Sequence, residues 1–333
     1  MTKINTILGL TCISEELKEI DKKKYSFRTM TRKRFNDLCV IHDRNEAIRD
    51  LSERILHNAR ATRYIIRHCI DNNILHYRLS SALFPLITDE KTEVSLDDLP
   101  DKSSIREEFE FAGKIAKDFG ISIGSHPDQF NVLASPNRDA VSRTINELNF
   151  QASVLDMLGL PQDHTAPMNI HINYTPKMDE SLEIVATRFF RNLSMCDKGV
   201  YKRLTIENED KGFFNVDNCL KFSDYLFETF QANIPVCYDN LHDFCNPSED
   251  GNITFQAERC AYTWVNQGDG DNNFLSPVFH WSEGKPEKPR AHADYFALGN
   301  VPPIIAIEPS KQAKWECEVK AKDKAIKLLQ QYC

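Results

Sequence analysis

The sequence predicts an α/β fold of the TIM-barrel type, with a single (β/α)8 domain over residues 1–333. Short apolar, β-branched runs alternate with longer segments of helical period, which is typical of a parallel sheet with crossover helices. The chain has 333 residues, of which 41% are hydrophobic, and a TIM barrel needs about 250 residues. Potential metal ligands stand at the ends of several apolar runs. These observations favour a barrel with a functional site on one face.

Eight short apolar runs are the candidate barrel strands. They are Ile4–Leu10, Ile74–Leu79, Ile121–His126, Met168–Ile172, Arg203–Glu207, Ile234–Asp239, Ser276–His280 and Lys314–Val319. The segments of helical period between them are Asn45–Ile70, Ile105–Phe119, Asn137–Leu158, Ser181–Cys196, Asp217–Phe230 and Phe255–Val265.

Local signals mark some of the helix ends. Ser135, followed by Pro136, is predicted to cap the helix that follows it, and Gly120 is predicted to end the preceding helix. The stretch from Gly284 to Lys311 is rich in proline and lacks a helical period. The eighth βα unit is therefore expected to be the least regular.

Composition limits the classes of function. The chain carries 49 acidic and 41 basic residues, a net charge of -8, whereas proteins held to nucleic acid by general electrostatics usually carry a basic excess. Carboxylates gathered in a metal site also make the total acidic, so the positions of the charges matter more than their sum.

The spacing of the cysteines and the N-terminal segment indicate the cellular compartment of the protein. The ten cysteines follow no short regular spacing, which favours reduced thiols over a disulfide framework. The N-terminal apolar run is too short for a membrane span or a signal sequence. We expect an intracellular protein without membrane attachment, in the cytoplasm beside the nucleoid or, in a eukaryote, in the nucleus.

Five candidate strands end on a potential metal ligand. These residues are His126, His171, Glu207, Asp239 and His280. The carboxyl ends of the strands lie together on one face of a TIM barrel, so these side chains should converge. Histidine and carboxylate suit zinc and manganese, and clustered divalent ions are a recurrent means of cleaving phosphodiesters.

Position separates these histidines from those that only satisfy backbone hydrogen bonds. His57 and His68 lie in a predicted helix, His42 just before it, His76 inside a strand and His164 in a loop. We assign none of these five a chemical role.

Five separated motifs carry a family resemblance. They are YRLSSALFP at 77–85, HPDQF at 126–130, IENED at 206–210, YDNLHDFCNP at 238–247 and AHADY at 291–295. In these motifs, and in their order along nearly the whole chain, the sequence resembles the UV damage endonucleases. The resemblance implies a TIM barrel related to endonuclease IV that acts on damaged double-stranded DNA. It also implies up to three divalent ions, with manganese expected and zinc or magnesium as alternatives. We expect a monomer.

The resemblance also implies a set of ligands. His126, His171 and Glu207 would hold one ion, and Glu207 would bridge to a second ion held by Asp239 and His280. A third ion would be held by His242 and His292. The catalytic residues would be Glu207, Asp239, His280 and Glu318.

The last ligand should be a glutamate at the end of the eighth strand, where Glu308 and Glu318 compete. The run ECEVKAKDKA at 316–325 resembles the closing segment of the family, and the interval from His292 fits Glu318 better. We choose Glu318.

The sequence departs from the family pattern at three positions. Val278 stands where a lysine is expected, Leu10 where a tyrosine is expected, and Asp243 where the second histidine of a pair is expected. Asp243 would either add a ligand or change the affinity for the third ion. The departures bear on substrate range and rate.

Two groups of residues are predicted to contact DNA. Basic side chains crowd the segment 18–34 after the first strand and continue near His292, and those predicted to bind DNA are Arg28, Arg32, Lys33, Arg34 and Arg290. The alternative for segment 18–34 is a solvated face. Gln129 and Phe130 follow His126 and are predicted to probe the lesion; the alternative is that Phe130 packs into the barrel top.

The expected reaction is hydrolysis of a phosphodiester by water activated at the metal ions. The resemblance implies that it takes place 5′ to pyrimidine dimers and 6-4 photoproducts, and also at abasic sites. The alternatives are an abasic-site endonuclease of the endonuclease IV type, a metal-dependent sugar isomerase, and a damage-binding protein that has lost catalysis. The HPDQF motif and the basic segment favour a nuclease over an isomerase.

Overall fold

The computed structural model describes residues 6–128, 130–266, 273–308 and 310–333. All eight predicted strands form, and they are parallel to one another. They are β1 (Ile7–Thr11), β2 (His76–Leu79), β3 (Ser122–Ser125), β4 (Met168–His171), β5 (Leu204–Glu207), β6 (Val236–Cys237), β7 (Val278–Ser282) and β8 (Lys314–Glu318).

The sheet closes almost completely into a barrel. The strand order is β6-β5-β4-β3-β2-β1-β8-β7, and a parallel bridge from Asp239 to His280 joins the two outer strands just beyond the end of β6. The prediction of a TIM barrel is therefore confirmed. Because all strands are parallel, their carboxyl ends share one face of the barrel.

Helices surround the barrel, and each predicted helix forms. Their bounds are α1 (Glu15–Ile20), α2 (Lys22–Tyr25), α3 (Arg32–Ile41), α4 (Arg44–Asp71), α5 (Lys102–Asp118), α6 (Arg138–Met157), α7 (Leu182–Leu193), α8 (Lys198–Arg203), α9 (Val216–Phe230), α10 (Asn240–Cys245), α11 (Ile253–Ala261) and α12 (Asp323–Leu329). Short 3-10 turns occupy Ser81–Leu83 and Leu96–Asp98. Within the described ranges, no helix has both the length and the apolar character needed to cross a bilayer.

The predicted N-cap of α6 is wrong, and the predicted end of α5 at Gly120 is confirmed. The cap of α6 is Asn137, whose side chain accepts hydrogen bonds from the backbone N–H groups of Asp139 and Ala140. Ser135 instead accepts from the backbone N–H of Asn137, because its hydroxyl lies too early in the chain to reach the first helical N–H groups. Gly120 has a φ of +70° just after α5, the left-handed conformation that ends a helix at low cost.

The eighth unit is irregular, as the sequence predicts. A hairpin of Gly284–Lys285 and Lys288–His292 follows β7 in place of a helix, and the described residues between this hairpin and β8 form no helix. A second small hairpin, Val265–Asn266 with Asn273–Phe274, lies between α11 and β7.

The two faces of the barrel wall differ in polarity. Apolar side chains such as Leu8, Tyr77 and Trp315 are buried in the hydrophobic core, where each fully buried large side chain contributes about 1.5–3 kcal/mol. Many inward positions are polar, including His76 and Glu316, which are hydrogen-bonded to each other. The described cysteines, ten in all, are free thiols. The apolar core therefore lies between the strands and the surrounding helices. The interior of the barrel holds a polar network.

Candidate metal centre

Glu207 is the centre of the candidate site. It is the last residue of β5, only 1% exposed, and four imidazole rings face its carboxylate. His126 Nε2 and His280 Nδ1 each lie 3.0 Å from a carboxylate oxygen, His242 Nδ1 lies at 3.1 Å and His171 Nε2 at 3.7 Å. The barrel brings these residues together from five different segments of the chain.

The donor set fits a divalent cation. The rings are mutual neighbours, with centroids 5.3 Å apart for His126 and His171 and 5.5 Å apart for His171 and His242. Four protonated imidazoles at this spacing would repel one another, and neutral rings whose N–H group points elsewhere, as that of His126 can towards Pro127 O at 3.0 Å, would turn a lone pair towards the carboxylate. A bound cation removes both conflicts, because it takes the lone pairs of histidine and carboxylate alike.

A second group of ligand atoms continues the cluster towards β7 and β8. It joins Asp239, His280 and Glu318, whose candidate ligand atoms all lie within 4.8 Å of one another. Asp239 is held in place because its carboxylate accepts hydrogen bonds from the backbone N–H of His242 at 2.8 Å and from Ser282 Oγ at 3.0 Å. The first group of ligand atoms belongs to His126, His171 and Glu207, and these atoms also lie within 4.8 Å of one another.

His242 and His292 approach the cluster at different points. His242 forms a triad of ligand atoms with Glu207 and Asp239, whereas His292 Nε2 lies 3.6 Å from Glu318. The Nδ1 atom of His292 is buried and has no hydrogen-bond partner within the described residues. A shared ion between these two histidines stays a prediction, and the nearest carboxylates assign them to different ends of the cluster.

Burial and charge together set the protonation of the cluster. Burial alone would raise the pKa of Glu207, but His280 and His171 hold that pKa well below its usual range. Burial would lower the pKa of His242, and Asp239 and Glu207 instead raise it to about 10. A cation must displace such protons, so metal binding should release protons and weaken as the pH falls.

The two glutamates that compete as the last ligand lie in different surroundings. Glu318, at the end of β8, is close to His280 and His292 and is ion-paired with Arg78. Glu308 is exposed in the loop before β8. The structure thus brings Glu318 and not Glu308 into the cluster; its role as a ligand stays a prediction.

Sequence analysis overlooked three buried residues that join this cluster. Cys237 shares a triad of ligand atoms with Glu207 and His280, and burial raises the pKa of its thiol to about 12. Arg78 and Glu316 form an ion pair of 3.0 Å beside His280. Residues two positions apart in a strand lie on the same face. Cys237 precedes Asp239 by two positions and Glu316 precedes Glu318 by two, so this spacing could have predicted that both face the barrel interior with the ligands.

The predicted lesion probe is only partly described. Gln129 lies outside the described residues, whereas Phe130 is 77% exposed. The alternative in which Phe130 packs into the barrel top does not hold in this structure. An exposed ring a few residues beyond His126 can stack on a base, although that role stays a prediction.

Much of the basic segment 18–34 is helical, although residues 26–31, which include Arg28, form no helix. Its helical parts belong to α1, α2 and the start of α3. Arg32 forms a two-pronged hydrogen bond to Asp89, and Lys33 and Arg34 pair with Asp37 and Asp50 at 2.7 and 3.6 Å. Phosphate binding by these side chains would have to compete with their carboxylate partners.

The remaining predicted DNA contacts are exposed. Arg28 precedes α3, and Arg290 lies on the hairpin after β7, 3.4 Å from Asp210. Arg290 stands two residues before His292, one of the predicted ligands. Its contact with DNA stays a prediction.

Two of the three departures from the family pattern occupy structural positions. Leu10 is fully buried in the hydrophobic core. Asp243 is buried and accepts hydrogen bonds from Ser248 Oγ at 2.8 Å and Tyr238 Oη at 3.1 Å. Its carboxylate is therefore engaged in the wall of the barrel and not with the ligand cluster.

The third departure, Val278, gives a prediction about charge inside the barrel. Val278 is buried and pairs in register with Lys314, where burial lowers the pKa of the Lys314 ammonium to about 8. We expect Val278→Lys to lower the free energy of unfolding by about 1–3 kcal/mol near neutral pH, because it adds a second cation beside the first.

Val278→Met is the matched control, since it lengthens the side chain without adding charge. Denaturant unfolding should show Val278→Lys to be the less stable of the two. Their difference should shrink as the pH rises through about 8, where Lys314 loses its proton. Equal stabilities near neutral pH would contradict the prediction.

Comparison with known proteins agrees with the geometry. Residues 6–332 match the family model described as UV-endonuclease UvdE. A UV DNA damage endonuclease of Nostoc sp. is 30% identical over 332 residues, which cover 98% of this chain and 89% of the relative. A UV DNA damage endonuclease of Bacillus velezensis is 25% identical over 306 residues, with coverage of 90% and 86%.

Two solved structures share the fold. The crystal structure of SacUVDE gives a TM-score of 0.75 at 23% identity, covering 98% of this chain and 97% of the other. Endonuclease IV from Thermus thermophilus gives 0.50 at 12% identity, covering 81% and 93%. With the family match over nearly its whole length, the chain belongs to the UV-endonuclease UvdE family.

Proposed function

We propose that this protein is a DNA repair endonuclease that hydrolyses the phosphodiester 5′ to UV photoproducts in duplex DNA with the help of divalent metal ions. The observation that carries the proposal is the buried carboxylate of Glu207, faced by four imidazoles at the carboxyl end of the barrel. Membership of the family, and relatives named UV DNA damage endonucleases, support DNA as the substrate.

The residues that would hold the ions come from both groups of ligand atoms and from the two histidines that approach them. They are His126, His171, Glu207, Asp239, His242, His280, His292 and Glu318. Divalent ions bound there would lower the pKa of a water molecule and neutralise the charge that develops on the phosphate. Manganese is the expected metal, with up to three ions.

Polar neighbours hold the carboxylate of Glu207 and the backbone of Asp239 in fixed positions. Asn169 donates from Nδ2 to Glu207 at 2.6 Å. Asn208 is hydrogen-bonded to both backbone groups of Asp239, accepting from its N–H at 2.8 Å and donating to its C=O at 3.0 Å. Such fixed ligands favour a single arrangement of the phosphate and the attacking water.

Contacts with DNA would come from the loops around this cluster. Phe130 offers an exposed ring four residues after His126, and Arg290 offers an exposed cation on the hairpin that carries His292. Pyrimidine dimers and 6-4 photoproducts weaken stacking and pairing, which lowers the cost of taking the damaged bases out of the helix. Abasic sites share this weakness, so we include them as substrates.

An incision assay tests the proposal directly. Chelator-treated protein would be incubated with duplexes that contain a pyrimidine dimer, an abasic site or no lesion, with and without manganese. We expect a nick 5′ to the dimer only when the metal is restored. Incision of the abasic duplex alone would favour an endonuclease IV-type enzyme, and no incision of any duplex would overturn the proposal.

Two glutamate variants test the last ligand. We expect Glu318→Gln to lower the metal content of the purified protein, because Glu318 lies within the ligand cluster. Glu308→Gln is the matched control, and its metal content should equal that of the wild type, because Glu308 is exposed outside the cluster. Elemental analysis of both proteins gives the answer. Equal losses in both, or a loss only in Glu308→Gln, would contradict the assignment.

A further inference from the structure

Glu316 is a buried carboxylate beneath the candidate metal centre to which the proposed reaction gives no role. It lies in β8, is 2% exposed, and pairs in register with His280 of β7. Its Oε2 atom lies 3.1 Å from His280 Nε2 and 3.0 Å from Arg78 Nη1, and its Oε1 atom lies 2.8 Å from His76 Nε2. The carboxylate therefore contacts the far side of a predicted ligand.

The contact with Glu316 favours one nitrogen of His280 as the one that keeps its proton when a cation binds in the cluster. At 3.1 Å, Nε2 is placed to donate its proton to Glu316, because an unprotonated Nε2 would turn its lone pair towards a carboxylate oxygen. Nδ1 faces Glu207 in the same way at 3.0 Å, but a cation bound in the cluster would replace the proton there, whereas among the described residues no group of candidate ligand atoms surrounds Nε2. Arg78 Nη1 lies farther from the same nitrogen, at 3.4 Å, and it donates to the carboxylate of Glu316 at 3.0 Å.

The opposite nitrogen then faces the ligand cluster. His280 Nδ1 lies 3.0 Å from Glu207, 3.7 Å from Asp239 and 3.8 Å from Glu318. A histidine binds a metal through its unprotonated nitrogen, and a carboxylate on the other nitrogen fixes both the tautomer and the ring orientation. We infer that Glu316 is a positioning residue that holds His280 with Nδ1 presented to the metal ions. This inference rests on the proposed metal site.

Glu316 is itself fixed by the polar interior of the barrel. His76, its partner on one oxygen, is held from the other side by Ser122 Oγ at 2.8 Å. Gly9 leaves the space that His76 fills, since a Cβ atom there would lie 2.9 Å from the His76 ring. Arg78 balances the charge of Glu316 and also pairs with Glu318. The carboxylate thus has little freedom to turn away from His280.

The inference is tested by measuring zinc affinity, with calorimetric titration of zinc into protein from which a chelator has removed the metal. We expect Glu316→Gln to bind zinc about 10- to 100-fold more weakly than the wild type, which is the usual cost of losing such a partner of a ligand. Glu180→Gln is the matched control, because Glu180 is another mostly buried carboxylate paired with an arginine, at 2.6 Å from Arg188, but it lies outside the ligand cluster. Its zinc affinity should equal that of the wild type.

Nitrogen-15 NMR of the zinc-loaded wild type reads the tautomer without any change at Glu316. We expect the His280 ring to carry its proton on Nε2, with the signal assigned by its loss in His280→Gln. A proton on Nδ1 would overturn the inference even if Glu316→Gln fails to fold. Equal zinc affinity of Glu316→Gln and the wild type, or equal losses in Glu316→Gln and Glu180→Gln, would also overturn it. Failure of the wild type to bind zinc or manganese would instead overturn the metal site itself.

Discussion

Glu207→Gln is expected to abolish incision while leaving the binding of damaged duplex largely intact. The carboxylate of Glu207 faces His126, His171, His242 and His280, so its loss removes the anion that lies among all four imidazoles. Changing an outer partner of a metal ligand costs about 10- to 100-fold in activity, and loss of the central ligand should cost more than about 100-fold.

The measurement pairs incision rates with binding to an uncleaved duplex. Glutamine retains the shape of the side chain, and Glu207 is only 1% exposed, so the DNA-facing surface should change little. Glu318→Gln provides a comparison at the edge of the cluster. Normal turnover by Glu207→Gln would overturn the metal assignment. A parallel loss of incision and DNA binding would show that the variant disturbs the DNA-facing surface as well as the metal ions.

The double change Gln129→Ala with Phe130→Ala is expected to weaken binding to dimer-containing duplex far more than binding to undamaged duplex. Extrusion of joined bases leaves a gap in the helix, and an aromatic ring that fills it contributes about 1–3 kcal/mol per base. Phe130 has the exposure that this role requires, at 77%. A loss of about 2 kcal/mol corresponds to about 30-fold in affinity.

A matched control is Phe119→Ala, since Phe119 is also exposed, at 53%, but follows α5 and precedes β3 at the opposite end of the barrel. Binding of both duplexes should be unchanged in this control. In the double variant, metal content and melting temperature should stay close to those of the wild type. Equal weakening for damaged and undamaged duplexes would show that the pair does not read the lesion.

The barrel and the main ligands could be predicted from the sequence because both depend on local patterns. The alternation of strand and helix follows from periodicity, and a residue at the end of a parallel strand must lie on the catalytic face wherever the strand sits in the barrel. His126 and His171 could therefore be identified without knowing which strands are neighbours. His280, which the sequence predicts to end its strand, lies in the middle of β7 (Val278–Ser282) and reaches the cluster through the barrel interior. The wrong cap at Ser135 reflects a choice between nearby residues, for which periodicity gives no signal.

The sequence by itself determined the fold class, the family and the residues that converge at the strand ends. Only the tertiary structure decided how the barrel interior is arranged. Glu316 contacts His76 across 240 residues and Arg78 across 238 residues, and such contacts depend on the closure and register of the sheet rather than on local pattern. The same closure brings Glu318 into the cluster beside Asp239 and His280. Burial then requires every charged group inside to find a partner, and these pairings exist only after the barrel has formed.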